Sequence, residues 1–208
     1  MKVLRSRRSI RRFKSDPVPK EDIEAVLNAM KFAPTARNSQ TWHYIVLTDQ
    51  DRINLVRNQV IEMMALLLKV IKRQKLLKPI LPKKLKVVIS DPKTKLGLDR
   101  FFKEIKEGKD PVFYSAPVVI ISYGPNNSGF GKIDAAIAIT YGMLAAQARE
   151  MGTCWIGYAQ EALKRSKKGR KALKIPESME VNGVFVLGYP NVKFHRAPPR
   201  KTLKIEWN

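Results

Sequence analysis

Apolar residues return at Ile23, Val26, Leu27 and Met30, the i, i+3, i+4, i+7 spacing of one helix face. Glu21, Asp22 and Glu24 fall in the first turn, where the helix dipole favours acids, and Asp16-Pro17-Val18-Pro19 and Pro34 bracket the element. His43 to Leu47 reads as a strand. A longer helix is predicted after it, capped by Asp49, with Ile53, Val56, Val60, Met64, Leu67 and Ile71 on one stripe. Pro79 and Pro82 then predict an irregular stretch, so that residues 75–112 read as an insertion or lid. Pro117-Val118-Val119-Ile120-Ile121 and Gly183-Val184-Phe185-Val186-Leu187-Gly188 are continuous apolar runs, the pattern of strands buried on both faces. Gly124 to Gly131 reads as a loop, and Ala159 to Leu173 as one short surface helix with lysines outward. Leu203-Lys204-Ile205-Glu206-Trp207 alternates as an edge strand does.

The chain is organised around the stretch from Asp134 to Gly157. Fourteen uncharged residues separate Asp134 from Arg149. Asp134 is a candidate N-cap, and Gly152 the residue type that ends helices in the left-handed conformation. A helix apolar all round its circumference needs cover on every side, and this one is too short to span a bilayer. It is either an ordinary core helix or a platform: Ala138, Gly142, Ala145 and Ala146 share a face on which another backbone, expected to be a second copy of the same helix, could approach closely. Thr153 to Gly157 runs on as an extended segment.

With 208 residues, 44% hydrophobic and 28% charged, the sequence has the makeup of one globular domain, 1–208. The single cysteine, Cys154, excludes an internal disulfide framework and fits a reducing cytosol. MKVLRSRRSIRRF has no apolar signal core and no membrane-spanning run follows, so the expected location is cytoplasmic, with no membrane partner. Lys and Arg number 40 against 18 acids, a formal charge of +22. Such an excess raises nucleic-acid binding, but no helix-turn-helix, zinc-finger or RNA-binding signature accompanies it, and nucleic acid is not the expected partner. From Met63 to Ser90 there is no acid, while Lys69, Lys72, Arg73, Lys75, Lys78, Lys83, Lys84 and Lys86 accumulate, which reads as a half-buried helix with a solvated face, or else as a membrane-surface or partner-binding helix.

Candidate chemistry is concentrated in two places. Arg5, Arg7, Arg8, Arg11 and Arg12 are interleaved with Ser6 and Ser9; guanidiniums grip phosphate bidentately, although the run taken alone also reads as a solvated face. Pro34-Thr35-Ala36-Arg37-Asn38-Ser39-Gln40-Thr41-Trp42 is a polar loop rich in side-chain donors. Neither G-x-G-x-x-G nor G-K-[ST] occurs, so no glycine-rich phosphate cradle is encoded. His43 and His195 lack metal-ligand spacing with Cys154, and no nucleophile set assembles. A catalyst built from this chain borrows its chemistry from a cofactor.

Four segments in order, Arg7-Arg8-Ser9-Ile10-Arg11-x-Phe13, Ala33-Pro34-Thr35-Ala36-x-Asn38-Ser39-Gln40-x-Trp42, Gly152-Thr153-Cys154-Trp155-Ile156-Gly157 and Gly188-Tyr189-Pro190, resemble the FMN-dependent nitroreductase family. The likeness spans nearly the whole chain except residues 60–112, the family's variable lid. It implies an α+β sandwich with a mostly antiparallel central sheet flanked by helices, in an intertwined homodimer with two FMN at the interface. By the same resemblance Arg7, Arg8, Ser9 and Arg11 form the first flavin segment, their side chains reaching the phosphate and Arg11 the pyrimidine edge. Pro34, Thr35, Ala36, Asn38 and Gln40 correspond to a loop given by the other subunit. Trp155, Ile156 and Gly157 match the segment beside the ring, where the backbone N–H of Ile156 and Gly157 faces flavin N5. Arg196 and Arg200 fall where the family has a phosphate-binding Arg, Arg200 matching better. Thr41 stands where the family usually has Pro, and Lys109 alone where many members have an Asn and a Lys.

The implied function is hydride transfer from NADH or NADPH through FMN to a nitroaromatic, a quinone or a related small-molecule acceptor. Two other flavin chemistries of the superfamily, reductive dehalogenation and oxidative flavin cleavage, share the pattern. A basic nucleic-acid or surface-binding protein without catalysis is the alternative of a different class.

Overall fold

A computed structural model describes residues 2–77 and 80–208, apart from the side chains of residues 75, 77 and 84. In chain order the elements are α1 (Lys2–Ser6), α2 (Lys20–Lys31), β1 (His43–Leu47), α3 (Gln50–Lys72), α4 (Gln74–Leu77), α5 (Lys83–Ser90), α6 (Pro92–Lys106), β2 (Val118–Pro125), α7 (Gly131–Ala148), β3 (Gly152–Trp155), α8 (Gly157–Arg165), α9 (Lys167–Ala172) and β4 (Met179–Gly188). The four strands form one sheet in the order β1-β2-β4-β3, every neighbouring pair antiparallel.

Helices cover both faces of this sheet, and strand alternation divides the core in two. On β2, Val118 and Ile120 point to the side occupied by Val26 and Met30 of α2 and Ala138 and Ile139 of α7. Val119 and Ile121 point to the other, against Val56 and Val60 of α3, Leu98 of α6 and Leu163 of α8. Both faces are therefore dry, which is why β2 and β4 read as unbroken apolar runs. The α+β sandwich is as the family resemblance implies.

Local signals hold where the pattern is strong. α2 buries Ile23, Val26 and Met30, and Asp49 caps α3 by accepting from the Arg52 N–H at 2.9 Å. Elsewhere the structure corrects the expectation. The stretch after α3 is helical rather than irregular, because Ile89, Leu98 and Phe101 are buried and give α5 and α6 a core to pack on. The break at Pro79, with Lys78, lies outside the described residues. The helix expected over 159–173 is two, divided at Ser166, whose hydroxyl accepts from the Gly169 N–H to cap α9. Residues 203–207 form no strand: the tail beyond β4 lies exposed, with Leu203, Ile205 and Trp207 uncovered.

Three corrections concern α7. It starts at Gly131, so Asp134 sits inside the first turn rather than at the N-cap. It ends at Ala148, and the left-handed residue beyond is Glu150 (φ 60°), not Gly152. The small-residue face is filled by the same chain: a Cβ on Gly142 would come 2.7 Å from Met30 Cγ of α2. A different face is uncovered, with Ile133 56% and Tyr141 41% exposed and Ala136 and Thr140 between them.

Candidate functional site

The site is built on a segment with no regular structure of its own. Residues 9–14 lie between β3 and the chain leaving β4, held by backbone bonds from the Ile10 N–H to the Thr153 carbonyl (2.9 Å), Lys14 N–H to Tyr189 O (2.9 Å) and Asn191 N–H to Arg12 O (2.8 Å). Ile10 and Phe13 turn inward and are buried, which leaves Ser9 and Arg11 facing out. Gly152 makes this approach possible: a Cβ there would stand 2.7 Å from Ile10 Cγ1 and 2.9 Å from Ile10 Cβ.

Two cavities meet at Arg11. One, of about 320 Å³, is lined by Arg7, Arg8, Ser9, Arg11 and Arg200, with Phe194 and Pro198 closing it. The Arg8 guanidinium donates to the Arg196 carbonyl and lies 4.7 Å from the Phe194 ring centroid, so the chain after β4 folds back over the N-terminal arginines. Among the described residues none of Arg7, Arg8, Arg11 and Arg200 forms an ion pair. Converging guanidiniums without acids make a region of positive potential suited to an anion with several acceptor oxygens.

The second cavity, about 360 Å³, is walled by aromatic and apolar groups: Tyr114, Trp155 and Tyr158 with Val112, Ile156 and Gly157, and Arg11 and Glu161 at its edge. The indole is fixed from behind, since Trp155 Nε1 donates to Gln160 Oε1 (3.1 Å) and Gln160 Nε2 donates to the Asn182 carbonyl (2.9 Å). Gly183 leaves it room, for a Cβ there would meet Trp155 Cη2 at 2.9 Å. The Arg11 guanidinium sits 5.9 Å from the Tyr114 ring centroid. Burial pushes the Tyr114 hydroxyl up, against the lowering pull of Arg11. Cys154, behind this wall, is likewise raised by burial against Arg11, Ser9 and Arg7, so it stays a neutral thiol and offers no nucleophile.

Each expected site residue can now be located. Arg7, Arg8, Ser9, Arg11, Trp155, Ile156, Gly157 and Arg200 all line one cavity or the other. The backbone amide expected of Ile156 is not available, because it donates to Val184 O at 2.8 Å and continues the sheet. Gly157 opens α8, where a helix leaves its first N–H groups without internal partners. Arg196 lines neither cavity; its carbonyl, not its guanidinium, makes the contact with Arg8. Lys109 pairs with Glu107 at 2.7 Å and is also outside both.

Pro34, Thr35, Ala36, Asn38 and Gln40 line neither cavity of this chain. Their loop stands at the start of α7, where Asp134 Oδ1 accepts from the Ala36 N–H (3.1 Å). Arg37, Asn38 and Gln40 are left-handed at φ 56°, 54° and 47°, a conformation non-glycine residues adopt at a cost. Thr35 Oγ1 accepts from the Gln40 N–H (3.1 Å) and Gln40 Nε2 donates to Asn38 Oδ1 (2.9 Å), so the loop is tied internally while Pro34, Asn38 and Gln40 stay exposed and Thr35 and Ala36 are half-buried. Tyr114, Tyr158, Glu161 and Phe194 were not legible as site residues. Tyr158, next to Gly157, carried the nearest signal.

An antiparallel sheet sandwiched by helices carries an arginine-lined cavity running into an aromatic one, a shape suited to an elongated ligand with an anionic and a planar part. The sequence pattern of the Nitroreductase family matches residues 4–189, and the chain belongs to that family. A protein of Archaeoglobus fulgidus provisionally named NADH dehydrogenase/NAD(P)H nitroreductase is 28% identical over 194 residues, covering 91% of this chain and 84% of the relative. Two solved structures share the fold. One is an FMN-bound nitroreductase from Desulfitobacterium hafniense (TM-score 0.73, 22% identity, 99% of this chain and 97% of the other). The second is an iodotyrosine deiodinase bound to FMN and 3-iodo-L-tyrosine (TM-score 0.63, 17% identity, 100% and 97%). Among the described residues no helix is long and apolar enough to cross a membrane, and no group of acids, histidines or cysteine could hold a metal ion.

Proposed function

We propose that the chain is an FMN-dependent oxidoreductase that takes electrons from NADH or NADPH and passes them to a nitroaromatic, a quinone or a related acceptor. The observation that carries this reading is the pair of cavities joined at Arg11, one ringed by guanidiniums that form no ion pair among the described residues and the other by aromatic walls. FMN has that division, a phosphate at one end and a flat ring at the other, so the residues present fit it. Bound FMN supplies hydride acceptance from a nicotinamide and two-electron reduction of the acceptor.

Everything else is positioning by the protein. Arg7, Arg8 and Arg200 hold the phosphate by charge-assisted hydrogen bonds. Arg11, at the junction of the cavities, would place a positive charge beside a ring held there, which would favour its acceptance of electrons. Tyr114, Trp155 and Tyr158 exclude water and offer faces for stacking. The Gly157 N–H presents a donor at the α8 N-terminus. No general base is required of this chain, in keeping with a thiol and a phenol both held protonated by burial.

The working unit is a homodimer. Three features support it: the exposed stripe Ile133–Ala136–Thr140–Tyr141 on α7, the uncovered alternating tail at 203–207, and a pinned 34–40 loop that lines neither of the two cavities described. The loop then completes the site of the second copy. The test is direct: purified protein is examined for flavin absorbance and light-scattering mass, then assayed anaerobically for NADH and NADPH oxidation with a nitroaromatic and with a quinone. Protein that neither retains nor binds FMN, or a flavin-loaded monomer, would overturn this reading.

A further inference from the structure

The segment between Glu161 and Glu177 carries Lys164, Arg165, Lys167, Lys168, Arg170, Lys171 and Lys174 and no acid. Three of the seven are occupied. Arg165 pairs with Glu161 (3.4 Å), Lys164 with Glu180 (4.0 Å), and Arg170 Nη1 donates to the Leu163 and Lys164 carbonyls, closing the end of α8. Lys167, Lys168, Lys171 and Lys174 are exposed, and among the described residues none makes an ion pair. Their backbone is fixed: Gly169 and Leu173 are buried, a Cβ on Gly169 would meet Gln59 of α3 at 3.1 Å, and Ser166 donates to Gln59 while capping α9. A rigid platform thus presents four uncompensated ammonium groups.

The platform adjoins the site. α8 begins with Gly157 and Tyr158 in the aromatic cavity, is nine residues long, and so spans about 13 Å before α9 starts. Glu161, at the cavity edge, is joined to the patch by its pair with Arg165. We propose that this surface docks a small acidic protein carrying a one-electron centre, such as an iron–sulfur protein, as an electron donor besides the nicotinamide. Two reduced carriers each give up one electron and two protons come from solvent. Both carriers leave oxidised, and the bound FMN is left reduced by two electrons and two protons. The redox part of this inference rests on the flavin reading above; the docking part rests on the charge and rigidity of the platform.

Other polyanions fit less well. No large apolar side chain is exposed between Tyr158 and Phe194, so nothing there would enter a lipid surface. No aromatic lies between Tyr158 and Phe185, so there is no stacking platform for single-stranded nucleic acid. Charge complementarity to an acidic protein needs neither.

The test uses FMN-loaded protein and a variant carrying Lys167→Glu, Lys168→Glu and Lys171→Glu. The probes are a reduced plant-type [2Fe–2S] ferredoxin, phosphatidylserine vesicles and a DNA duplex. Calorimetric titration should show ferredoxin binding that weakens with salt and falls on the order of tenfold or more in the variant. Stopped-flow flavin bleaching by ferredoxin should fall in parallel, while NADH oxidation is unchanged. Ferredoxin binding that is absent, or equal in both proteins, overturns the proposal, as does binding of the vesicles or the duplex alone. Because calorimetry needs no flavin, a chain that binds ferredoxin through these lysines but fails to hold FMN would sink the flavin reading and leave the docking surface standing.

Discussion

Gly152→Ala tests whether the close seating of residues 9–14 on β3 builds the site. The new Cβ would stand 2.7 Å from Ile10 Cγ1, 2.9 Å from Ile10 Cβ and 3.0 Å from Ile10 Cγ2, where carbon atoms prefer at least ~3.5 Å. A rotamer change cannot relieve a contact with Cβ itself, so the backbone around Ile10 must retreat by roughly 0.6 Å. Ile10 is buried, so overpacking costs about 1–3 kcal/mol. Stretching the bond from the Ile10 N–H to Thr153 O adds up to ~1 kcal/mol. For a chain of 208 residues, at about 2–4 °C per kcal/mol, a loss of ~1–4 kcal/mol lowers Tm by roughly 2–16 °C. FMN affinity should fall as well, because Arg8, Ser9 and Arg11 move with Ile10. Gly157→Ala is the control: nothing lies within 4 Å of its added Cβ, so Tm should hold while the methyl group intrudes on the aromatic cavity. Calorimetric melting and FMN titration of both variants measure this. A Gly152→Ala protein that melts and binds like the parent would refute the seating argument.

Three further outcomes are expected. Arg200→Ala should weaken FMN binding by about 1.5–3 kcal/mol, the worth of a hydrogen bond to a charged group, while Arg196→Ala, whose carbonyl makes the contact, leaves it unchanged; titration of apo-protein compares them. Glu150→Gly should raise stability by roughly 0.5–1 kcal/mol in denaturant melts, since φ 60° strains any residue with a Cβ; a loss of stability would mean the Glu150 side chain has a partner of its own. Asp22 is held below its ordinary 3.8, first by hydrogen bonding to Arg149 and then by Tyr189, so its contribution is present above that value and lost as pH falls through the depressed one. Melting Asp22→Asn beside the parent from about pH 6 to pH 2.5 should therefore show a gap that closes on the acid side; a gap constant with pH means the pair is not charge-based.

Much of the architecture was legible because its signals are local. The 3.6-residue period marked α2 and α3, unbroken apolar runs marked β2 and β4, and Asp49 announced the cap it makes. Boundaries without a chemical marker were missed: α7 begins three residues before Asp134, and two helices stand where prolines suggested irregular chain.

The sequence by itself carried the residue types of the site in three short segments, Arg7 to Arg11, Trp155 to Gly157 and Arg200. The tertiary structure decided which of them meet. Tyr114 and Phe194 join them only because the fold brings distant stretches of chain to one end of the sheet, while Tyr158 and Glu161 follow Gly157 on α8. It also decided that Ile156 spends its amide on Val184, that Met30 rather than a second helix fills the notch at Gly142, and that the 34–40 loop lines neither of the two cavities at Arg11. Periodicity reports which way a side chain faces within its own element. What lies opposite depends on contacts between residues far apart in the chain, and these exist only once the layers have packed.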